Sequence, residues 1–244
     1  MENINFSPEQ IAHFTGRDNI SNFTRANTPI LQFSGKTGEY SIVENKEEFK
    51  LGNFISGVVI KVRKCMWYFP DGGAYSLSTP DGDAKTIVPL WVRQPNQRTQ
   101  TPMRGTFTEL KAKYPQLKMC PVLYIILEGK GELVKLTVKG KSSSILFNYY
   151  QEFDKKKDEY LDQYITEFSA AKDEYQNKKT GEIKKFWVAM FTKGKKVEDE
   201  MAIILKAKEL TEKLESVEIQ FSNTKTIENK EQETEIDVSS MFEN

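Results

Sequence analysis

Apolar residues along this chain of 244 recur mostly with a period of two, the spacing of half-buried strands. Ile30–Ser34 and Tyr40–Val43 read as two short strands split by Gly35-Lys-Thr-Gly38, and residues 45–50 read as a polar connector. A long run follows from Asn53 to Phe69. Val59, Lys61, Arg63 and Cys65 share one parity in it, and Val58, Ile60, Val62, Lys64 and Met66 the other. Gly57 inside the run predicts a bulge or sharp bend. Residues 74–79 and 85–93 give a second and third strand after the turns Asp71-Gly-Gly and Pro80-Asp-Gly-Asp. Residues 94–105 read as a flexible polar loop, and 106–114 as a short helix stopped by Pro115. Leu117–Leu127 and 132–139 form a fourth and fifth strand around the turn Glu128-Gly-Lys-Gly.

The spacing then changes. Lys141-Ser-Ser-Ser opens a helix through about Lys157, with a serine as its cap. Residues 160–176 fit both periods: Leu161, Ile165 and Phe168 at helical spacing, Tyr160, Tyr164, Thr166 and Phe168 on one strand face. The turn at Lys179-Thr-Gly-Glu and the plain strand Ile183–Phe191 favour a hairpin, so strand is expected. Val197–Val217 carries apolar residues at steps of four and three and reads as a helix. A short helix after Ser7 is expected within residues 1–29.

The expected fold is mainly β with flanking helices, α+β in class. Five strands, the first long and bent, with a helix between the third and fourth, is the layout of an OB-fold, a five-stranded Greek-key barrel. A hairpin and a C-terminal helix would be added to it. The expected divisions are an N-terminal arm over 1–44, the barrel core over 45–195, a helix over 196–220 and a disordered acidic tail over 221–244.

Composition narrows the chemistry. At 38% hydrophobic and 29% charged residues the chain reads as soluble, with no apolar run long enough to span a membrane and no leader pattern at Met1. Cys65 and Cys120 read as buried free thiols in a reducing compartment. One histidine, His13, leaves too few ligands for a zinc site, and no Gly-rich phosphate loop or nucleophile elbow occurs, so neither cofactor nor metal is expected. The enzymatic alternative is a metal-dependent nuclease using the turn carboxylates Asp71, Asp81 and Asp83. Those dipeptides are turn formers first.

Charge is what points to a partner. The chain is neutral as a whole, but residues 226–244 hold six acids and one base, a net of −5. Residues 51–150 hold fourteen bases and six acids, a net of +8. Many of those bases stand beside aromatics: Lys61 and Arg63 lead into Trp67, Tyr68 and Phe69, Trp91 adjoins Arg93, and Lys184 and Lys185 precede Phe186 and Trp187. Single-stranded nucleic acid demands that pairing, since each base offers a flat apolar face and each phosphate a charge. Lys61, Arg63, Lys64, Arg93, Lys135 and Lys139 are expected to track the backbone. Trp67, Tyr68, Trp91 and Trp187 are expected to stack bases, and the Arg98–Arg104 loop to close over the strand. The alternative is that the aromatics are core and the lysines a solvated strand face; a third is a barrel that binds protein.

Phe54-Ile-Ser-Gly-Val-Val-Ile-Lys-Val-Arg, Thr108-Glu-Leu-Lys-Ala-Lys-Tyr-Pro-Gln-Leu-Lys and Gly131-Glu-Leu-Val-Lys-Leu-Thr-Val-Lys-Gly-Lys-Ser-Ser resemble the OB-fold single-stranded DNA-binding proteins of phages and mobile genetic elements. The closing Glu235-Ile-Asp-Val-Ser-Ser-Met-Phe is similar to the acidic tips of such proteins, although Glu243 and Asn244 follow here. The resemblance implies single-stranded DNA binding with little sequence preference, RNA not being separated from DNA, in the cytoplasm of a bacterial host or its equivalent. It implies replication or recombination proteins docking through Asp237, Met241 and Phe242, and a tail that competes with DNA for the groove. The bland alternative for the tail is a solubilising terminus. Nothing in the sequence sets the oligomeric state.

Overall fold

A computed structural model describes residues 28–44, 47–69, 75–82, 85–94, 97–98, 103–156, 158–177 and 180–212, with the backbone alone at 93–94, 97–98 and 154. The expected N-terminal helix, Asp71, Asp83 and the acidic tail lie outside these residues.

The strands are β1 (Ile30–Phe33), β2 (Tyr40–Glu44), β3 (Glu47–Gly52), β4 (Ile55–Tyr68), β5 (Ser76–Ser78), β6 (Val88–Gln94), β7 (Gln97–Arg98), β8 (Met103–Gly105), β9 (Lys118–Leu127), β10 (Leu133–Thr137), β11 (Tyr164–Gln176) and β12 (Ile183–Lys196). The helices are α1 (Phe107–Lys113), α2 (Lys141–Asp154) and α3, which runs over residues 200–212. Among the described residues no helix is long and apolar enough to cross a membrane.

The architecture is mostly β with helices packed on a mixed, open sheet. Along its path β3, β2, β1, β10, β9, β4, β5, β6 and β7 follow in turn, β11 pairs with both β4 and β12, and β8 pairs with β6. β9 beside β4 beside β5 beside β6 is a Greek-key order, its long connection carrying α1. The strands placed by sequence in the N-terminal arm belong to this same sheet, because β1 pairs in parallel with β10.

Each helix covers one apolar cluster. α2 brings Leu146, Tyr149 and Phe153 onto the face that holds Leu123, Ile125 and Leu127 of β9. α3 brings Ala207 and Leu210 onto the opposite face, against Cys120, Val122 and Tyr124. α1 brings Phe107 and Leu110 onto Met66, Leu77 and Leu90. The alternation along β9 is what lets one strand serve two layers. The helix at α1 begins with a capping box between Thr106 and Glu109, as the pattern Thr-x-x-Glu dictates.

Three local expectations change and a fourth holds. The polar connector at 45–50 is largely strand β3, an edge strand whose charged side chains stay in solvent. The loop at 94–105 includes two short strands, β7 and β8. No serine caps α2: its cap residue is Gly140, while Ser142 accepts from the Ala189 N–H and Ser143 donates to the Val138 carbonyl. Residues 160–176 are a short 3-10 turn, Leu161–Gln163, followed by β11, in line with the hairpin reading.

The bulge is present in β4 but not at Gly57. The register with β9 shifts between Val59 and Lys61. Gly57 answers a different constraint, since a Cβ there would stand 2.5 Å from the Ile126 carbonyl oxygen. The shift turns Ile60 and Lys61 to the same side, so Lys61, Cys65 and Trp67 look toward α3 and Val62 toward α2.

Candidate nucleic-acid interface

Trp67, near the end of β4, sits opposite Lys118 on β9 and opposite Ser78 on β5, and Ser78 sits opposite Trp91 on β6. Residues opposed in an antiparallel ladder share a face, and strands stand about 4.8 Å apart. Lys118, Trp67, Ser78 and Trp91 therefore form one cross-sheet row, with the two tryptophans about 10 Å apart. Phe69, two residues beyond Trp67, stacks on it with ring centroids 5.7 Å apart and planes 16° from parallel. At 52% exposure Phe69 carries that stack out to solvent. Lys139, just past β10, holds its ammonium 4.1 Å from the centre of the Trp67 ring.

Lys139 also lines a second feature. Beyond the last paired residues of β1 and β10, Leu31 and Leu136, a cleft of about 440 Å³ is walled by Gln32, Thr137, Lys139, Ser142 and Trp187. The Trp187 ring lies against Gly38, where a Cβ would come within 2.6 Å of it and where φ is +76°. Lys172 stands 5.3 Å from the same ring. Trp187 thus forms a braced wall of the cleft rather than an open stacking plate.

The expected contacts that the fold redirects are as telling as those it gathers. Lys61 and Arg63 are 2% and 3% exposed. Lys61 donates to the Thr211 hydroxyl of α3 at 3.0 Å. Lys135 is held by Asp81 at 3.2 Å, and Tyr124 donates to the same carboxylate. Asp81, 5% exposed, is accordingly a buried anchor for β9 and β10. These three bases face the side of the sheet that α3 covers, which is why none is presented as a strand-tracking charge. Tyr68 packs into the cluster under α1, with parity opposite to that of Trp67.

Lys64 is exposed but looks the other way, into a cavity of about 1120 Å³ between β4 and α2. Met119, Phe147 and Tyr150 also line that cavity. Burial raises the Tyr150 phenol well above its ordinary range. Arg104 is exposed on β8, opposite Pro89 of β6, and the Trp91 side chain is half-buried. Arg93 is in register with Ser76 and Arg98, with the backbone alone described there. Asp237, Met241 and Phe242 lie outside the described residues.

The structure thus brings together Trp67, Trp91, Lys139 and, through the cleft, Trp187. It adds Phe69 and Lys118, which the sequence reading did not select. Alternation alone carries that signal: in Trp67-Tyr-Phe69 the first and third rings share a face, so Phe69 and not Tyr68 accompanies Trp67. Compared with protein-family models, with curated proteins and with solved structures, the chain matches none of them.

Proposed function

We propose that this chain binds single-stranded DNA with little sequence preference, without catalysis, across the face that carries Trp67, Phe69, Trp91, Lys118 and Lys139. The observation that carries the reading is the Lys139–Trp67–Phe69 stack at the end of the row. It offers an exposed aromatic plane beside ammonium groups, and the two tryptophans are spaced across strands rather than clustered in one core. Each base stacked on such a plane contributes about 1–3 kcal/mol, and each neutralised phosphate adds a salt-dependent increment.

The five-stranded barrel is part of the same proposal. β4, β5, β6, β9 and β10 correspond in order to its five strands, with α1 between the third and fourth. In such barrels the second and third strands and the loop joining the first to the second bind oligonucleotides. Those places are held here by β5, by β6 with Trp91, and by Phe69 just past the end of β4.

In this reading the acidic residues 226–244 act as a weak competitor for the basic face. Asp237, Met241 and Phe242 then serve replication or recombination partners once DNA displaces the tail. Titration of intrinsic tryptophan fluorescence with oligo(dT) at low salt tests the proposal. Quenching that weakens steeply with salt is expected, and an unquenched signal at low salt overturns it. Removal of residues 226–244 is expected to tighten binding, and unchanged affinity would retire the tail's role.

A further inference from the structure

Cys65 on β4 and Cys120 on β9 lie directly opposite one another in the antiparallel ladder, and they are the only two cysteines of the chain. Both are free and buried, at 9% and 4% exposure. Opposed residues of such a pair stand about 4.5–5.5 Å apart at Cα. That lies inside the span of about 4.4–6.8 Å that a disulfide bridges. The Cys120 thiol donates to the Lys118 carbonyl at 3.8 Å. The neighbouring Cys65 sulfur, with the ammonium groups of Lys139 and Lys118, holds Cys120 below the usual thiol range, while the Cys120 sulfur and burial leave Cys65 well above it. Cys120, with the ammonium groups of Lys118 and Lys139 beside it, is the readier nucleophile of the two.

Their position in the sheet gives the pair a neighbour. Two residues on along β4, on the same face, stands Trp67, and opposite Trp67 stands Lys118. Lys139, which covers Trp67, is also within electrostatic reach of both thiols.

We propose that Cys65 and Cys120 form an oxidisable pair that closes a cross-strand disulfide when the protein meets a peroxide, directly beneath the Trp67 row. The thiolate of Cys120 attacks one oxygen of hydrogen peroxide, the O–O bond breaks, and the departing hydroxide takes a proton to leave as water. The sulfenic acid so formed on Cys120 is attacked by the Cys65 sulfur. The S–S bond forms, the S–O bond breaks, and a second water departs with the Cys65 proton. Two thiols have given up two electrons and the peroxide has accepted them.

Opposed Cβ atoms in a ladder stand about 4.5–5.5 Å apart, against about 3.8 Å in a disulfide, so closure draws the two Cβ atoms together by roughly 1 Å and strains the local ladder between β4 and β9. A bridge made under that tension is readily reduced again. The next same-face pair along the ladder is Trp67 and Lys118, so the pull is delivered to the binding row; this last step rests on the single-stranded DNA reading.

The test uses the folded full chain, treated with hydrogen peroxide, then unfolded, alkylated and weighed intact. Loss of both alkylatable thiols with loss of two hydrogens, reversed by dithiothreitol, is the expected result. Thiols that remain alkylatable, or oxygen retained on either sulfur in place of the bridge, overturns the proposal. Cys65→Ser is expected to leave Cys120 trapped as a dimedone adduct; where that variant does not fold, the mass of the native chain decides alone. Oxidised and reduced protein are then titrated with oligo(dT), and weaker binding by about threefold or more on oxidation is expected. A bridge that forms with unchanged affinity removes the link to Trp67, whereas no oligo(dT) binding in either form refutes the DNA reading and leaves the cysteine chemistry standing.

Discussion

Lys61 reaches from the middle of β4 to α3 and donates to the Thr211 hydroxyl, which itself donates to the carbonyl of Ala207. A lysine that reads in sequence as a phosphate contact is instead a fastening between sheet and helix. Lys139, exposed over the Trp67 ring, is the contrasting case. Lys61→Met is expected to shift the denaturant midpoint while leaving oligo(dT) affinity and its salt slope intact. Lys139→Ala is expected to leave the midpoint unchanged and to lower the slope of log K against log salt by about one. Titrations over a salt series on both variants check the pair.

The aromatic triplet separates in the same manner. Phe69→Ala removes an exposed ring from the stack on Trp67, and weaker oligo(dT) binding by about 1–3 kcal/mol is expected with little change in unfolding. Tyr68→Ala empties space under α1 and is expected to lower stability by about 3–5 kcal/mol at most, its half-burial reducing that figure. Equal effects of the two variants on binding would contradict the assignment of faces.

Asp81 holds Lys135 and the Tyr124 hydroxyl in a site closed to solvent. Asp81→Asn leaves the Lys135 charge largely buried without its counter-charge, and a loss of about 3–5 kcal/mol in urea unfolding is expected. The alanine variant of Lys135, which strands the carboxylate instead, should fall in the same range. A small effect from either would show that the three groups are not acting as one anchor.

Glu159 and Lys193 tie the turn before β11 to β12. The hydrogen bond from Lys193 holds the Glu159 carboxyl below its ordinary value, and the same bond raises Lys193 above its own. The Glu159 contribution is therefore fully present above the carboxyl's unfolded value and is lost as pH falls through the lower, folded one. The Lys193 contribution is present below the lysine's unfolded value and is lost as pH rises through the higher, folded one. Both side chains are half-buried and still reach solvent, at 27% and 23% exposure, so the effect is modest. Glu159→Gln is expected to destabilise at neutral pH and to converge with the native protein in acid, as thermal melts across a pH series would show.

Periodicity in the sequence was enough to find β4, β9, β10, α1, α2 and β12, because each buries one face and the pattern records it. It was not enough to say which face of β4 stays in water. Two features decide that, and neither has a local signature. The register shift after Val59 turns Lys61 toward α3, and α3 itself, some 140 residues later, lays Ala207 and Leu210 over that side. A basic residue on a strand looks the same in sequence whether a distant helix will cover it or not. β3 was missed for the opposite reason: an edge strand needs no apolar face to be held, only a neighbour with open backbone groups. Trp67 packs at the margin of the cluster that Ala207 and Leu210 join, and the Lys139 ammonium over its ring comes from a strand end seventy-two residues away, a pairing with no local signature.

The parallel pairing of β1 with β10 has a consequence for how the molecule is made. Ile30 meets Lys135, about a hundred residues further along the chain. During synthesis at roughly 5–20 residues per second, β1, β2 and β3 emerge as a three-strand meander whose inner edge has nothing to pair with for several seconds. Joining that meander to the sheet closes a long loop late, the kind of contact that slows folding. A chain interrupted before β10 would leave the edge of β1 open, and truncated products ending there are expected to be the aggregation-prone ones.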